Sequence, residues 1–579
     1  MIIQSLNISF INPPHADWSM ANNLTYHYCQ SHYRRYGKYC EHVNWIPAPF
    51  RWNTYTCFDE IVKEIGSCDI LLMSSYTWNA DLVDKFAQFY RKLFPDSILV
   101  IGGPHIGTNE AELLKKREEL FDYICLPTKP GEVFVQDLID EWFENNGSPL
   151  REKIAWELKS EKKRSLPFDL DYSIYKEHSD TYKLQLDHAK KYRLEPFISL
   201  ETTRGCPYKC VYCEWGGGTG TKVYQKPLDI VKEDIRVLTE MGYTNAYLTD
   251  ANFGIFKERD FEIYRFAHEK SFALTDISTV KVPQLARRKE LIDFCFDVVG
   301  KGPEVHTKVD TGTDMWGMME YASSIPAVSI QSISTKAMTI SHRIDLKTHE
   351  KIELSKHIYE RCNKEGFPVP AIELILAMPG STLKDFYEEM NLIWNFQAWN
   401  SFRHDYMFLP DSELNSQEYK DKYNIETVEV YSDIVDEDGI DNWNSLYRNK
   451  RSYFKTIRSC FSFSAEEMVE MWFMNNAANF LLRNIYPMVK EHCTPPLFAK
   501  SCYTIIQTLE GFNYMQEEIY DLYNPKTEPR SIRKLQGSFR VEVIEKFLAR
   551  NQKLIYNEIF KQFVVKKDHS NAESDVLHP

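Results

Sequence analysis

Thr202-Thr-Arg-Gly-Cys206-Pro-Tyr-Lys-Cys210-Val-Tyr-Cys213-Glu-Trp-Gly-Gly-Gly218 brings three cysteines into eight residues with C-x3-C-x2-C spacing. Three thiolates on a four-iron cubane leave one iron without a protein ligand, and that open position can bind and activate an outside molecule. Structural zinc instead closes its shell with four ligands. The plainer alternatives are buried small hydrophobes, or half a zinc site completed by a distant histidine. Against both, no second CxxC pair and no H-x3-H follows within ~20 residues. Gly205, Pro207 and Tyr212 surround the thiols, and the Gly216-Gly217-Gly218 run lets backbone approach a ligand closely. Cys206, Cys210 and Cys213 are therefore the candidate metal ligands, for a [4Fe-4S] cluster.

The loop follows the apolar segment Pro196-Phe-Ile-Ser-Leu200 and resembles the cluster-binding loop of the radical S-adenosylmethionine (SAM) superfamily. The resemblance implies that the open iron chelates the amino and carboxylate groups of SAM. Electron transfer, from a donor such as flavodoxin or ferredoxin, then yields a 5′-deoxyadenosyl radical. It also implies that Tyr212 packs near adenine, with Gly216 beside the cofactor. Downstream the pattern alternates: helix 228–241, strand 245–249, helix 258–270, strand 278–282, then further pairs ending in strands 328–331 and 372–376. About six βα units predict a partial (β/α)6 barrel over 191–410, with its active-site loops at the carboxyl ends of the strands.

The residues after those strands are the candidate SAM contacts. Asp250 and Asn252, in Thr249-Asp-Ala-Asn-Phe-Gly254, suit ribose hydroxyls or the methionyl amine, although Asp and Asn also favour caps and turns. Gln331 and Ser332 resemble the family's Gln-Ser strand end, and Arg343 its downstream arginine, a fixed fork for a carboxylate. Glu373-Leu-Ile-Leu-Ala-Met-Pro-Gly380 resembles the last barrel strand, which implies Pro379 and Gly380 near adenine.

Residues 1–150 read as a doubly wound parallel sheet. Strands are expected at 5–11, around 43–46, and at 70–74, 98–101 and 123–126. Helical stretches separate them, such as 81–93 with apolar positions 82, 83, 86, 89, 90 and 93. Such sheets bind ligands beyond the strands' carboxyl ends. There lie Asn12 and Pro13, then Ser74 and Ser75, then Gly102, Gly103 and His105; ordinary βα-turn chemistry would choose similar residues. Asn-Pro-Pro and Gly-Gly-x-His at these positions resemble the cobalamin-binding domain fused ahead of many radical SAM enzymes. No Asp-x-His-x-x-Gly is present, so the resemblance implies cobalamin without a motif-supplied axial histidine. The family's Arg-Gly-Glu-Gly-Glu is reduced here to Gly131-Glu132.

A polar connector is expected over 151–190 and a helical region over 411–579. In that last region the Met468, Met471, Trp472, Phe473 and Leu481 stripe reads as core. Cys460, Cys493 and Cys502 lack metal spacing and read as packing, or as a hydrogen-atom donor. A net charge of -14 without a basic tract argues against duplex nucleic acid. No apolar run approaches the ~20 residues of a membrane helix. The N-terminus reads as a strand, not a signal peptide, and thirteen scattered cysteines with an oxygen-sensitive cluster point to the cytoplasm.

These features predict a cobalamin-dependent radical SAM methyltransferase acting on an unactivated carbon of a natural-product or peptide substrate. The alternatives are a radical SAM peptide epimerase, suggested by Cys213-Glu-Trp-Gly-Gly, or a cobalamin-dependent ring rearrangement or cyclisation. A non-enzymatic cofactor sensor would be expected to carry a DNA-binding or signalling partner, and none is visible in the sequence.

Overall fold

The structure is a computed structural model. It describes residues 5–13, 23–49, 58–77, 79–127, 129–147, 153–155, 172–192, 198–214, 223–275, 284–299, 325–326, 328–343, 346–366, 369–370, 372–398, 402–431, 453–512 and 537–565.

Strand β1 (Leu6–Ile11) is buried at every position but Asn7, because a central parallel strand is covered on both faces. It pairs in parallel with β2 (Val43–Trp45) and β3 (Ile70–Ser74), and the sheet continues through β4 (Ile98–Gly102), β5 (Tyr123–Cys125) and β6 (Ile154–Ala155). Side-chain alternation divides its two faces. Ile8, Phe10, Ile70, Leu72 and Val100 pack with helices Leu24–Tyr36 and Gly131–Glu144. Leu71, Met73, Leu99 and Ile101 pack with Phe58–Ile65 and Ala80–Leu93. The order β2-β1-β3-β4-β5-β6 reverses direction between β1 and β3, so a crevice opens beyond their carboxyl ends.

The expected connector ends in structure. Helices Ile174–Glu177 and Ser179–Tyr192 bury Ile174, Tyr175, Tyr182 and Leu186 in the core of the next unit. Their apolar positions are spaced helically among charged residues, which hides them in a composition scan.

Among the described residues that next unit holds six strands paired in parallel in two groups of three. The first group is Ser199–Leu200, Asn245–Leu248 and Ala273–Thr275. The second is Val328–Gln331, Ile372–Leu376 and Phe402–Asp405. Helices including Leu228–Met241, Lys257–Glu269, Leu285–Val299 and Thr348–Glu365 alternate with them. The expected strand at 278–282 lies outside the described residues.

Helices Ala465–Asn484, Pro495–Ile506 and Gly537–Phe560 complete the fold. Met468, Met471, Trp472, Phe473 and Leu481 are buried with Leu376, Met378, Phe386 and Tyr406, so the stripe is core, as its spacing predicts. Cys502 is fully buried in the same cluster, where burial pushes its thiol up. An antiparallel pair, Glu426–Tyr431 with Tyr453–Ser459, was not anticipated, because its alternation is short and its strands are far apart in sequence. Among the described residues no helix is long and apolar enough to cross a membrane.

Candidate functional site

The cysteine loop leaves the strand Ser199–Leu200 and turns at Gly205, whose φ of 101° is left-handed backbone that glycine adopts freely. Asp250 anchors its start. The carboxylate accepts from the backbone N–H of Thr202 (2.7 Å) and Thr203 (3.0 Å) and from the Thr202 hydroxyl (2.5 Å). Burial pushes the Asp250 carboxyl up to about 6, against the lowering effect of those bonds. The loop's second half is tied by Val211 N–H to the Ser341 carbonyl (3.1 Å) and by Leu414 N–H to the Val211 carbonyl (2.9 Å).

Cys206 and Cys210 are buried, Cys213 is half-buried, and none of the three is in a disulfide. Asn252 donates its Nδ2 to Cys206 Sγ at 3.1 Å, while its Oδ1 is buried without a partner. A buried acceptor left unpaired is costly, so a donor-bearing ligand beside Cys206 would relieve it. Among the described residues no three His, Cys, Asp or Glu side chains converge on a point that could hold one metal ion. A cubane takes one thiolate per iron, so a set of three thiols fits such a cluster with one iron left open.

Of the other expected SAM contacts, Arg343 bonds to this loop through Tyr212. Tyr212 accepts from Arg343 Nη1 (3.1 Å), and Arg343 Nη2 donates to the Ser329 carbonyl (3.0 Å), joining the loop to the strand Val328–Gln331. Gln331 ends that strand at φ 65°, a conformation a side-chain-bearing residue rarely holds without a reason. Ser332 is used internally: it donates to Glu389 Oε1 (3.3 Å) and accepts from Ser334 N–H (3.1 Å). Gly380 has φ 94°, and a Cβ there would meet Ile340 at 2.9 Å and the Ala337 nitrogen at 3.0 Å, so close packing against helix Thr335–Ile340 explains it. Gly216 lies outside the described residues.

In the first sheet, Asn12 and Pro13 follow β1 while Ser74 and Ser75 follow β3. Asn79 gathers them, its Nδ2 lying 3.1 Å from Asn12 Oδ1, 3.1 Å from the Pro13 carbonyl and 3.3 Å from the Ser74 carbonyl. Gly103 needs its missing side chain, since a Cβ would sit 2.5 Å from the Ser75 carbonyl oxygen. Fully buried Arg117 donates to the His105 carbonyl and to Ser75 Oγ (2.9 Å). Burial, reinforced by Arg117, holds the His105 imidazole neutral, down to about 3, and its Nδ1 is shut from solvent with no partner. An unpaired ring nitrogen and backbone edges at a sheet's switch point fit a broad ligand with polar substituents.

Two residues of the motifs meet across the units. Arg204, two residues before Cys206, pairs with Glu132 (2.9 Å) and Glu201 (2.8 Å). Burial alone would raise the Glu132 carboxyl, but Arg204 and hydrogen bonds hold it below the usual carboxylate range. Asn79, Arg117 and Asp411 (below) carry no motif signal; Glu132 was visible only as a motif remnant.

Residues 200–393 match the model of the Radical SAM superfamily. The chain is 24% identical over 383 residues to the cobalamin-dependent radical SAM methyltransferase TokK of Streptomyces tokunonensis. It is 24% identical over 382 residues to the 2-(S-pantetheinyl)-carbapenam-3-carboxylate methyltransferase of Streptantibioticus cattleyicolor. Each alignment covers 64% of this chain and 51% of the relative, so the chain spans about half the length of these relatives. In fold it is similar to the radical SAM methyltransferase TsrM of Kitasatospora setae, with TM-score 0.53, 13% identity, 90% of this chain and 99% of that one. It is also similar to the cobalamin-dependent SAM radical enzyme OxsB, with TM-score 0.51, 12% identity, 99% of this chain and 81% of that one.

Proposed function

We propose that this protein is a cobalamin-dependent radical SAM methyltransferase. Residues 1–150 would hold the corrinoid, 191–410 the cluster and SAM, and 411–579 would complete the substrate cavity. The observation that carries the reading is the pairing of two sites in one chain: a three-thiol loop at strand ends beside an unpaired buried amide, and a switch-point crevice in the preceding sheet. The naming of TokK and TsrM as methyltransferases supports methyl transfer over epimerisation or rearrangement.

When bound, the cluster with SAM supplies a 5′-deoxyadenosyl radical and the corrinoid a methyl group. The chain's own residues prepare that chemistry. Cys206, Cys210 and Cys213 offer three thiolates, and Asn252 would orient the ligand that satisfies its Oδ1. Arg343 and Tyr212 would steady the nucleoside side of the pocket. Asn12, Ser74, Ser75 and His105 would line the corrinoid's edge, with His105 neutral and so able to accept or donate at Nδ1. A natural-product intermediate or a peptide fits an unactivated-carbon acceptor, and an external one-electron donor is required.

The test is anaerobic incubation with SAM, methylcobalamin, a reductant and candidate acceptors. 5′-Deoxyadenosine together with S-adenosylhomocysteine supports methylation. Deoxyadenosine alone would overturn it in favour of epimerisation or rearrangement.

A further inference from the structure

The cysteine loop is held to the first unit at both of its ends. Before Cys206, Arg204 reaches Glu132, which follows β5 and is 4% exposed. After Cys213, Glu214 Oε1 accepts from Asp411 N–H at 3.0 Å. The Asp411 carboxylate in turn receives three successive N–H groups of the loop after β4: Ile106 (2.8 Å), Gly107 (3.0 Å) and Thr108 (2.6 Å). Consecutive amides of this kind form a concave anion receptor, and here the chain supplies its own anion. Asn109 adds two bonds to the Asp411 and Ser412 carbonyls, and Lys455 pairs with Glu110. The loop after β4 flanks the crevice of the first sheet, where His105 N–H donates to the Ser75 carbonyl (3.1 Å), and β5 is the next strand along.

We infer that Glu132 and Asp411 are positioning residues that clamp the cysteine loop from both ends, so that this loop and the loops after β4 and β5 move as one body. Ligand in the crevice then strengthens binding at the cysteine loop, and the reverse holds by the same factor, since coupling between two sites is reciprocal. This coupling rests on the two-site reading above; the clamp itself rests only on the bonds just given.

The clamp is tested in the full-length metal-free chain by amide hydrogen exchange. In Asp411→Asn an amide NH2 confronts backbone N–H donors, so exchange at 106–108 and also at 211–214 should rise roughly tenfold. Glu132→Gln should raise it at 203–206. Glu177→Gln is the control: it breaks the Arg34 and Arg35 pairs between helices Leu24–Tyr36 and Ile174–Glu177 and should leave all three segments unchanged. Exchange rising only at 106–108 in Asp411→Asn, with 203–206 unchanged in Glu132→Gln, overturns the clamp.

Coupling is tested on cluster-reconstituted protein by titrating S-adenosylhomocysteine with and without hydroxocobalamin. Wild type should bind it at least roughly 5-fold tighter with the corrinoid, and either variant should bring that ratio near one. A wild-type ratio of one with both ligands bound overturns the coupling. Failure of wild type to bind either ligand instead overturns the two-site reading, while the exchange data still decide the clamp.

Discussion

Asp250 separates an anchoring role from a ligand-binding one, because two substitutions there should have opposite effects. Its folded carboxyl lies near 6 against an ordinary 3.8, so at pH 7 the ionised form costs the fold roughly 3 kcal/mol relative to a neutral group of the same shape. Asp250→Asn keeps an oxygen for the Thr202 and Thr203 N–H groups and removes that charge. It should be neutral to stabilising, by up to ~3 kcal/mol at pH 7. The advantage must vanish on acidification. Wild type gains stability as pH falls from about 6 to about 3.8, where the folded carboxyl holds its proton and the unfolded one does not yet, and the variant lacks this slope. Asp250→Ala leaves two buried N–H groups and a hydroxyl without an acceptor, at ~1–3 kcal/mol each, so at pH 4, where no buried charge is relieved, it should lose at least ~3 kcal/mol and loosen the cysteine loop. Urea unfolding of the metal-free protein at pH 4 and pH 7 measures both. Equal destabilisation by the two variants, or a stable Asp250→Asn with tenfold weaker SAM binding, would refute the anchoring role.

The buried pair His27 and His178, stacked at 4.4 Å, makes a second pH prediction. Burial first, then Arg34 and Arg35 against an opposing Glu177, pulls His178 from 6.5 to about 4, while Ser31 and Tyr182 bond the two rings. For His178 stability is complete above 6.5 and falls by roughly 3 kcal/mol as pH drops to 4, because only the unfolded ring takes the proton; His27, also lowered by burial, adds to the same direction. His178→Gln should flatten part of that slope in urea midpoints between pH 4 and pH 7; an unaltered slope contradicts the assignment. Gln331→Gly relieves a left-handed residue and should leave stability equal or raised by up to ~1 kcal/mol, while weakening S-adenosylhomocysteine binding about tenfold. Unchanged binding would remove Gln331 from the site.

Strand runs such as Ile70–Ser74 were legible because a parallel strand covered on both faces must be continuously apolar. The cysteine loop was legible because its ligands lie within eight residues. Asp411 was not, since its partner Thr108 is 303 residues away and nothing local marks the pairing. Asp250 and Ser332 follow the strands Asn245–Leu248 and Val328–Gln331, yet their bonds to Thr202 and Glu389 depend on how strands align in space. Gly103 looked ligand-facing by residue type, but its space is filled by Ser75 backbone, which only the strand register reveals. Helix 179–192 was hidden by its polar majority, although its few apolar side chains reach a neighbouring core.

The most direct measurement is the iron, sulfide and corrinoid content of the full chain after anaerobic reconstitution with iron, sulfide and hydroxocobalamin. The account predicts four irons and four sulfides with one corrinoid per chain, on the order expected for one cubane, and loss of the iron alone in Cys206→Ala, Cys210→Ala or Cys213→Ala. Wild-type protein that stays free of iron, or that binds iron equally well in all three variants, would contradict it.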